Sequence, residues 1–124
     1  MNTEIKINKS MVSRAIISKI QEERDPKNIY AKHVKGFKSP EKLKLKGNDE
    51  DYTPDIEVEY EDETHLYEIE LEQSHHTDKW RLFTLYAKNK RGNLFLVIPD
   101  YLKPFIKKQI AENNINAGIL FFET

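Results

Sequence analysis

The chain reads as one α/β domain, spanning residues 1–124, with a mixed central sheet flanked by helices. Three observations predict this. Residues 55–72 hold two runs that alternate apolar and polar residues, the period of strands, with a short polar gap between them. Residues 77–91 and 101–113 carry apolar residues at helical spacing. Each is followed by an apolar segment of strand character, 94–98 and 118–122. Strand–helix–strand–helix–strand order implies parallel neighbours joined by right-handed crossovers, while the hairpin makes the sheet mixed.

The elements follow in order. Residues 9–24 form an amphipathic helix with Ser10 as N-cap and Val12, Ala15, Ile16 and Ile20 inward, ended by Asp25-Pro26. Residues 29–37 give a weak strand through Ile29, Tyr30, Val34 and Phe37. Residues 38–53 are polar and read as a long lysine-rich loop, of the kind that often carries function. Within it Lys42, Lys44 and Lys46 alternate with Leu43 and Leu45, which suits an edge strand as well as a grip on DNA. Thr77 N-caps the 77–91 helix, with Asp78 at its positive end and Gly92 as C-terminal stop. Trp80, Phe83, Tyr86 and Ala87 form its buried stripe, widened by Leu82 and Leu85. Leu94-Phe95-Leu96-Val97-Ile98 is apolar throughout, as in a strand buried on both faces. The 101–113 helix turns Phe105, Ile106, Gln109 and Ile110 inward, and Gly118 to Phe122 forms the last strand.

Composition narrows the function. Hydrophobic residues make up 38% and charged residues 33%, yet the apolar ones cluster periodically, which argues for a folded chain. The absence of cysteine excludes disulfides and thiolate metal sites. No apolar run approaches the roughly 20 residues of a membrane span. The N-terminus lacks an apolar leader, so a cytoplasmic location is expected. The net charge of -1 hides a strong asymmetry. Residues 49–72 carry twelve acids and no Lys or Arg, whereas residues 25–48 carry seven Lys against Asp25 and Glu41. Basic flanks around an acidic centre suit a polyanion held beside metal ions, but by themselves such charge blocks more often only keep a small protein in solution.

The acidic block concentrates on the hairpin. A four-residue loop at Glu61 to Thr64 pairs Asp55 with Glu70 and Glu57 with Glu68. Asp55, Glu57, Glu68, Glu70 and Glu72 then share one face, and Ile56, Val58, Tyr67, Ile69 and Leu71 the other. Carboxylates opposed at about 5 Å repel by roughly 3 kcal/mol at an effective dielectric near 20. Solvent, a raised pKa, basic neighbours or a bound cation must relieve this. An amphipathic hairpin with its acidic face in water would also do so.

Pro54-Asp55 followed by Glu68-Ile69-Glu70 resembles the PD-(D/E)xK nuclease superfamily, whose restriction-endonuclease-like core is αβββαβ. The resemblance covers residues 54–98 well and 9–122 loosely. It departs at Glu70, which stands where the motif has Lys; Lys79 is the candidate for a lysine migrated to the following helix. It implies a metal-dependent nuclease acting on phosphodiesters, with DNA the expected substrate and Mg²⁺ or Mn²⁺ the cofactor. Asp55, Glu68 and Glu70 would hold metal, Glu70 alternatively serving as base, and Lys79 would stabilise charge. Glu70 and Glu72 form an alternative pair, and Glu22 or Glu23 an option for the first-helix glutamate of some members. Lys32, Lys35, Lys38, Lys42, Lys44, Lys46 and Arg81 would contact phosphates, while His75 and His76 either touch the site or lie exposed. So small a chain would recognise sequence as a homodimer or with a partner subunit. The missing motif lysine leaves two alternatives: an inactive nuclease-like module that binds nucleic acid or protein, or an interaction domain whose acidic face docks a basic partner.

Overall fold

The computed structural model describes residues 6–44 and 50–124. The first helix, α1, is Lys9–Glu23. Its N-cap is Asn8, whose side chain accepts from the Met11 N–H at 2.9 Å, rather than Ser10. Both residue types cap well; starting at Asn8 puts Lys9 in the first turn, where it reaches Asp55. The buried stripe is Val12, Ser13, Ile17 and Ile20, while Ala15 is exposed. The expected inward face is therefore rotated.

Strand β1 is Asn28–Ala31, shorter than the 29–37 the apolar residues suggested. The chain leaves it because the Ala31 N–H bonds back to Lys38 O, closing a loop. Two short strands, β2 (Leu43–Lys44) and β3 (Asp51–Tyr52), form a separate hairpin. Part of the expected loop is thus strand; Lys46 lies outside the described residues.

Strands β4 (Ile56–Glu59) and β5 (Thr64–Ile69) form the acidic hairpin, but in another register. The Tyr60 N–H bonds to Glu63 O, leaving a two-residue tip. Ile56 pairs with Tyr67, Glu57 with Leu66 and Val58 with His65. The tip is held by Arg24, which pairs with Glu63 and lies over the Tyr60 ring. A shift of two residues keeps every side chain on its expected face. It removes the expected Glu57–Glu68 opposition.

Helix α2 is Thr77–Asn89, with His76 rather than Thr77 at the cap position. Trp80, Phe83 and Ala87 are buried; Tyr86 and Leu82 are half-buried, and Leu85 lies outward in solvent. Strand β6 (Leu94–Pro99) is covered on both faces as its sequence predicts. A short turn of 3₁₀ helix at Asp100–Leu102 precedes α3 (Lys103–Glu112), and β7 (Gly118–Phe122) ends the fold.

The described residues form a single α/β domain with three α-helices and a mixed five-stranded sheet of order β1-β4-β5-β6-β7. β1, β4 and β5 are antiparallel, and β5, β6 and β7 parallel. Both crossover helices pack on one face, where Trp80, Phe83 and Ile106 meet Leu66, Leu96 and Ile98. On the other face α1 places Ile17 and Ile20 against Ile56 and Val58, and Val12 against Ile69 and Val97. With both faces covered, the hairpin has no face in water. Among the described residues, no helix is long and apolar enough to cross a membrane.

Helix α2 ends with paired 6→1 and 5→2 bonds, Gly92 N–H to Ala87 O and Arg91 N–H to Lys88 O. The left-handed residue is Arg91, at φ 61°, rather than the glycine. Gly92 is required for another reason: a Cβ there would lie 1.6 Å from Thr64 O. Gly92→Ala therefore forces backbone apart and should cost about 3 kcal/mol. Ser13→Ala removes a buried hydroxyl that has no hydrogen-bond partner among the described residues, and should be neutral or stabilising. Urea unfolding of both variants checks the contrast.

Candidate active site

Strand direction gathers the chemistry at one end of the sheet. β1, β5 and β6 run the same way, so their C-terminal ends lie together with the N-termini of α1 and α2. Open α/β sheets bind ligands outside those strand ends. Asp55, just before β4, and Glu68 and Glu70, at the end of β5, sit here, at 1%, 2% and 4% exposure. Glu72 lies beyond them in solvent. Of the two pairs left open, Glu68 and Glu70 are thus the ones turned into the protein.

The carboxylates are linked through shared partners. The Asp55 N–H donates to Glu68 Oε1 at 3.0 Å, and the Ile69 N–H donates to Asp55 Oδ2 at 2.9 Å. Lys9 Nζ lies 3.0 Å from Asp55 Oδ2, and His33 Nε2 2.8 Å from Asp55 Oδ1. Lys79 Nζ bridges Glu68 at 2.6 Å and Glu70 at 3.2 Å. The Trp80 indole donates to Glu70 Oε1 at 3.1 Å, and His76 Nδ1 lies 3.2 Å from Glu70 Oε2. Lys79 and Trp80 are adjacent on the first turns of α2, so one helix terminus supplies both groups.

Burial and charge compete at these groups. Burial pushes Asp55 up, but Lys9, the Ile69 N–H and the other hydrogen bonds outweigh it and hold the carboxyl below its usual range. For Glu68 burial wins: with the Asp55 charge beside it, and despite Lys79 and Lys9, its carboxyl is pushed up to about 8. Burial lowers Lys79, but Glu68 and Glu70 outweigh it and keep the ammonium protonated above its usual value.

Other expected residues are placed differently. Glu57 accepts from the Tyr86 hydroxyl at 2.6 Å in a separate polar cavity of about 170 Å³ that includes Glu59 and Lys90. His75 is exposed and packs edge-on to Phe105. Glu22 and Glu23 are exposed in the last turn of α1, the opposite end from Lys9. Lys32, Lys35, Lys38, Lys42 and Lys44 are all exposed. Arg81 is partly occupied, by Asp78 and the Asn113 carbonyl.

Lys9, His33 and the Trp80 indole are site contacts that sequence reasoning missed. No local pattern marks Lys9 or His33. Their only signal is topological: each lies next to an element end that the sheet brings to the same edge.

The donor set suits a hard divalent cation, since Mg²⁺ takes one or two carboxylates and keeps several waters. Among the described residues, no three His, Asp or Glu side chains are arranged to hold a metal ion. Both Asp55 oxygens already have partners in Lys9 and His33, so a cation there would compete with them. Compared with models of known families, with curated proteins and with solved structures, the chain matches none.

The raised Glu68 pKa has a stability consequence. Between about 4.5 and about 8 the native state binds a proton that the unfolded chain has released. Stability should therefore fall as pH rises through that window. Asp55 acts oppositely and at lower pH: its contribution is present above its unfolded value and is lost as pH falls through its depressed native value. Urea midpoints between about pH 5 and about pH 9 should decline for the wild type and flatten in Glu68→Gln.

Proposed function

We propose that the chain is a metal-dependent phosphodiesterase of the PD-(D/E)xK kind, a nuclease acting on DNA, with a lysine migrated to α2. One observation carries this: Lys79 Nζ is 2.6 Å from Glu68, whose other oxygen accepts from the Asp55 backbone. An acid after proline, an acid on the next strand and an ammonium group beside that second acid make up that motif, although the three are scattered in sequence. The element order supports it too. Leaving aside the inserted β2–β3 hairpin, the chain through β6 runs helix, three strands, helix, strand, the αβββαβ order of a restriction-endonuclease-like core.

Asp55 and Glu68 would hold Mg²⁺ or Mn²⁺. When bound, the ion polarises a phosphoryl oxygen, stabilises the departing alkoxide and makes water more acidic. The chain's own groups do the rest. Lys79 sets a fixed positive charge where negative charge develops on the phosphate. Glu70, held by the Trp80 indole and His76, orients that ammonium and accepts a proton from water. The exposed lysines from Lys32 to Lys44 attract the polyanion and make binding salt-dependent.

A second reading rests on Lys9. Its ammonium already neutralises Asp55, as in a nuclease-like module that binds nucleic acid without cutting it. Calorimetry and a plasmid-nicking assay with Mn²⁺ separate the two. A nuclease should bind the ion, lose binding in Asp55→Ala, and lose at least about 10²-fold in rate in Glu68→Ala and Lys79→Ala. DNA binding that ignores Asp55→Ala, with no cleavage of duplex, branched or single-stranded DNA, would establish the inactive module instead.

A further inference from the structure

The sheet's last strand is left open in a way that calls for a partner. Among the described residues β7 pairs only with β6, and none of them pairs with its outer backbone edge. Soluble proteins blunt such edges with charge, proline, a bulge or a covering element. Gly118-Ile119-Leu120-Phe121-Phe122 carries none of these within the strand. Leu120 is 42% and Phe121 51% exposed, and Lys103 Nζ lies 4.1 Å from the centre of the Phe121 ring. Beside the strand, α1 reaches only as far as Val97 and Phe122. An apolar groove of about 560 Å³ runs between them, lined by Ile7, Met11, Ile16, Leu120 and Phe122 among others, with Lys19 the one charged lining residue among the described residues.

We infer that β7 is a self-association edge, and that its occupant is β7 of a second copy, antiparallel about a two-fold axis through Leu120. The strand's own sequence selects this partner. In that pairing Leu120 meets its own copy, Ile119 faces Phe121, and Gly118 faces Phe122. The smallest residue thus opposes a large one. Leu120 and Phe122 lie on the α1 side of the sheet and Ile119 and Phe121 on the α3 side, because each aligns with a β6 residue of known face. No charge opposes its like: Glu123, just past the strand, falls opposite Ala117. The two sheets join into one of ten strands, and the two grooves become walls of one trough. A five-residue strand pair buries less than the roughly 800 Å² per partner of a standard interface. The dimer is therefore weak, exchanging at micromolar concentrations.

The absence of cysteine makes the test simple. Paired residues in an antiparallel ladder have Cα atoms about 4.5–5.5 Å apart, within disulfide reach. Leu120→Cys should oxidise to a covalent dimer, whereas Leu85→Cys, on the exposed face of α2, should stay monomeric. Sedimentation velocity should show wild type and Leu85→Lys dimerising with concentration, and Leu120→Lys remaining monomeric with an unchanged circular-dichroism spectrum. A wild type that stays monomeric throughout, or crosslinking that is equal at the two positions, overturns the proposal and leaves the groove to another occupant. If Leu120→Lys misfolds, the crosslinking contrast alone decides. Because the edge lies apart from Asp55 and Glu68, loss of nicking in Glu68→Ala has no bearing on the outcome.

Discussion

The fold depends on keeping one buried carboxylate charged. Asp55 has almost no contact with solvent, and an unpartnered charge there would cost several kcal/mol. Its partners come from three separate parts of the chain: Lys9 at the start of α1, His33 after β1, and the Ile69 N–H on β5. One side chain therefore ties down where the first helix begins, how the first loop folds back and how β5 ends. Because Lys9 and the Ile69 N–H hold its pKa low against burial, the carboxylate stays charged through neutral pH. Glu70 repeats the device on the other side, fastening α2 to β5 through Trp80, His76 and Lys79.

Clustered acids are tolerated because the sheet is covered on both faces but open at one end. Apolar contacts between helices and strands exclude water along the strands. The polar groups collect where strand ends and helix N-termini converge. There, Lys9 and Lys79 each take up a carboxylate, and Glu68 is the group for which burial outweighs its neighbours. A poised, nearly neutral carboxyl beside a fixed ammonium group is the kind of perturbed pair found in functional sites. The coverage is uneven: two helices occupy one face and one helix the other, which leaves β7 and its groove exposed on the α1 side.

Much of this is written in local pattern. The alternation of residues 55–72 assigns every hairpin side chain to its face, because that assignment needs only period two. The apolar run 94–98 announces a strand covered on both sides. Trp80, Phe83 and Ala87 mark the buried stripe of α2 by helical spacing. Local pattern fails where two equivalent choices differ only in distant contacts. Asn8 wins the cap over Ser10 beside the Lys9–Asp55 contact. The hairpin tip shortens where Arg24 grips Glu63 and Tyr60. Gly92 is a glycine because of Thr64, not because of its own φ.

By itself the sequence determined the class of fold, the order of the three helices and the five strands of the main sheet, and the set of acids that share one hairpin face, since all of these follow from short-range periodicity and residue chemistry. Only the tertiary structure decided which side chains meet those acids. Lys9, His33 and Lys79 lie up to 46 residues from Asp55 and 11 from Glu68. Periodicity does not encode such pairings, although the family resemblance had singled out Lys79; they are set by strand direction and by the cost of leaving a buried charge alone.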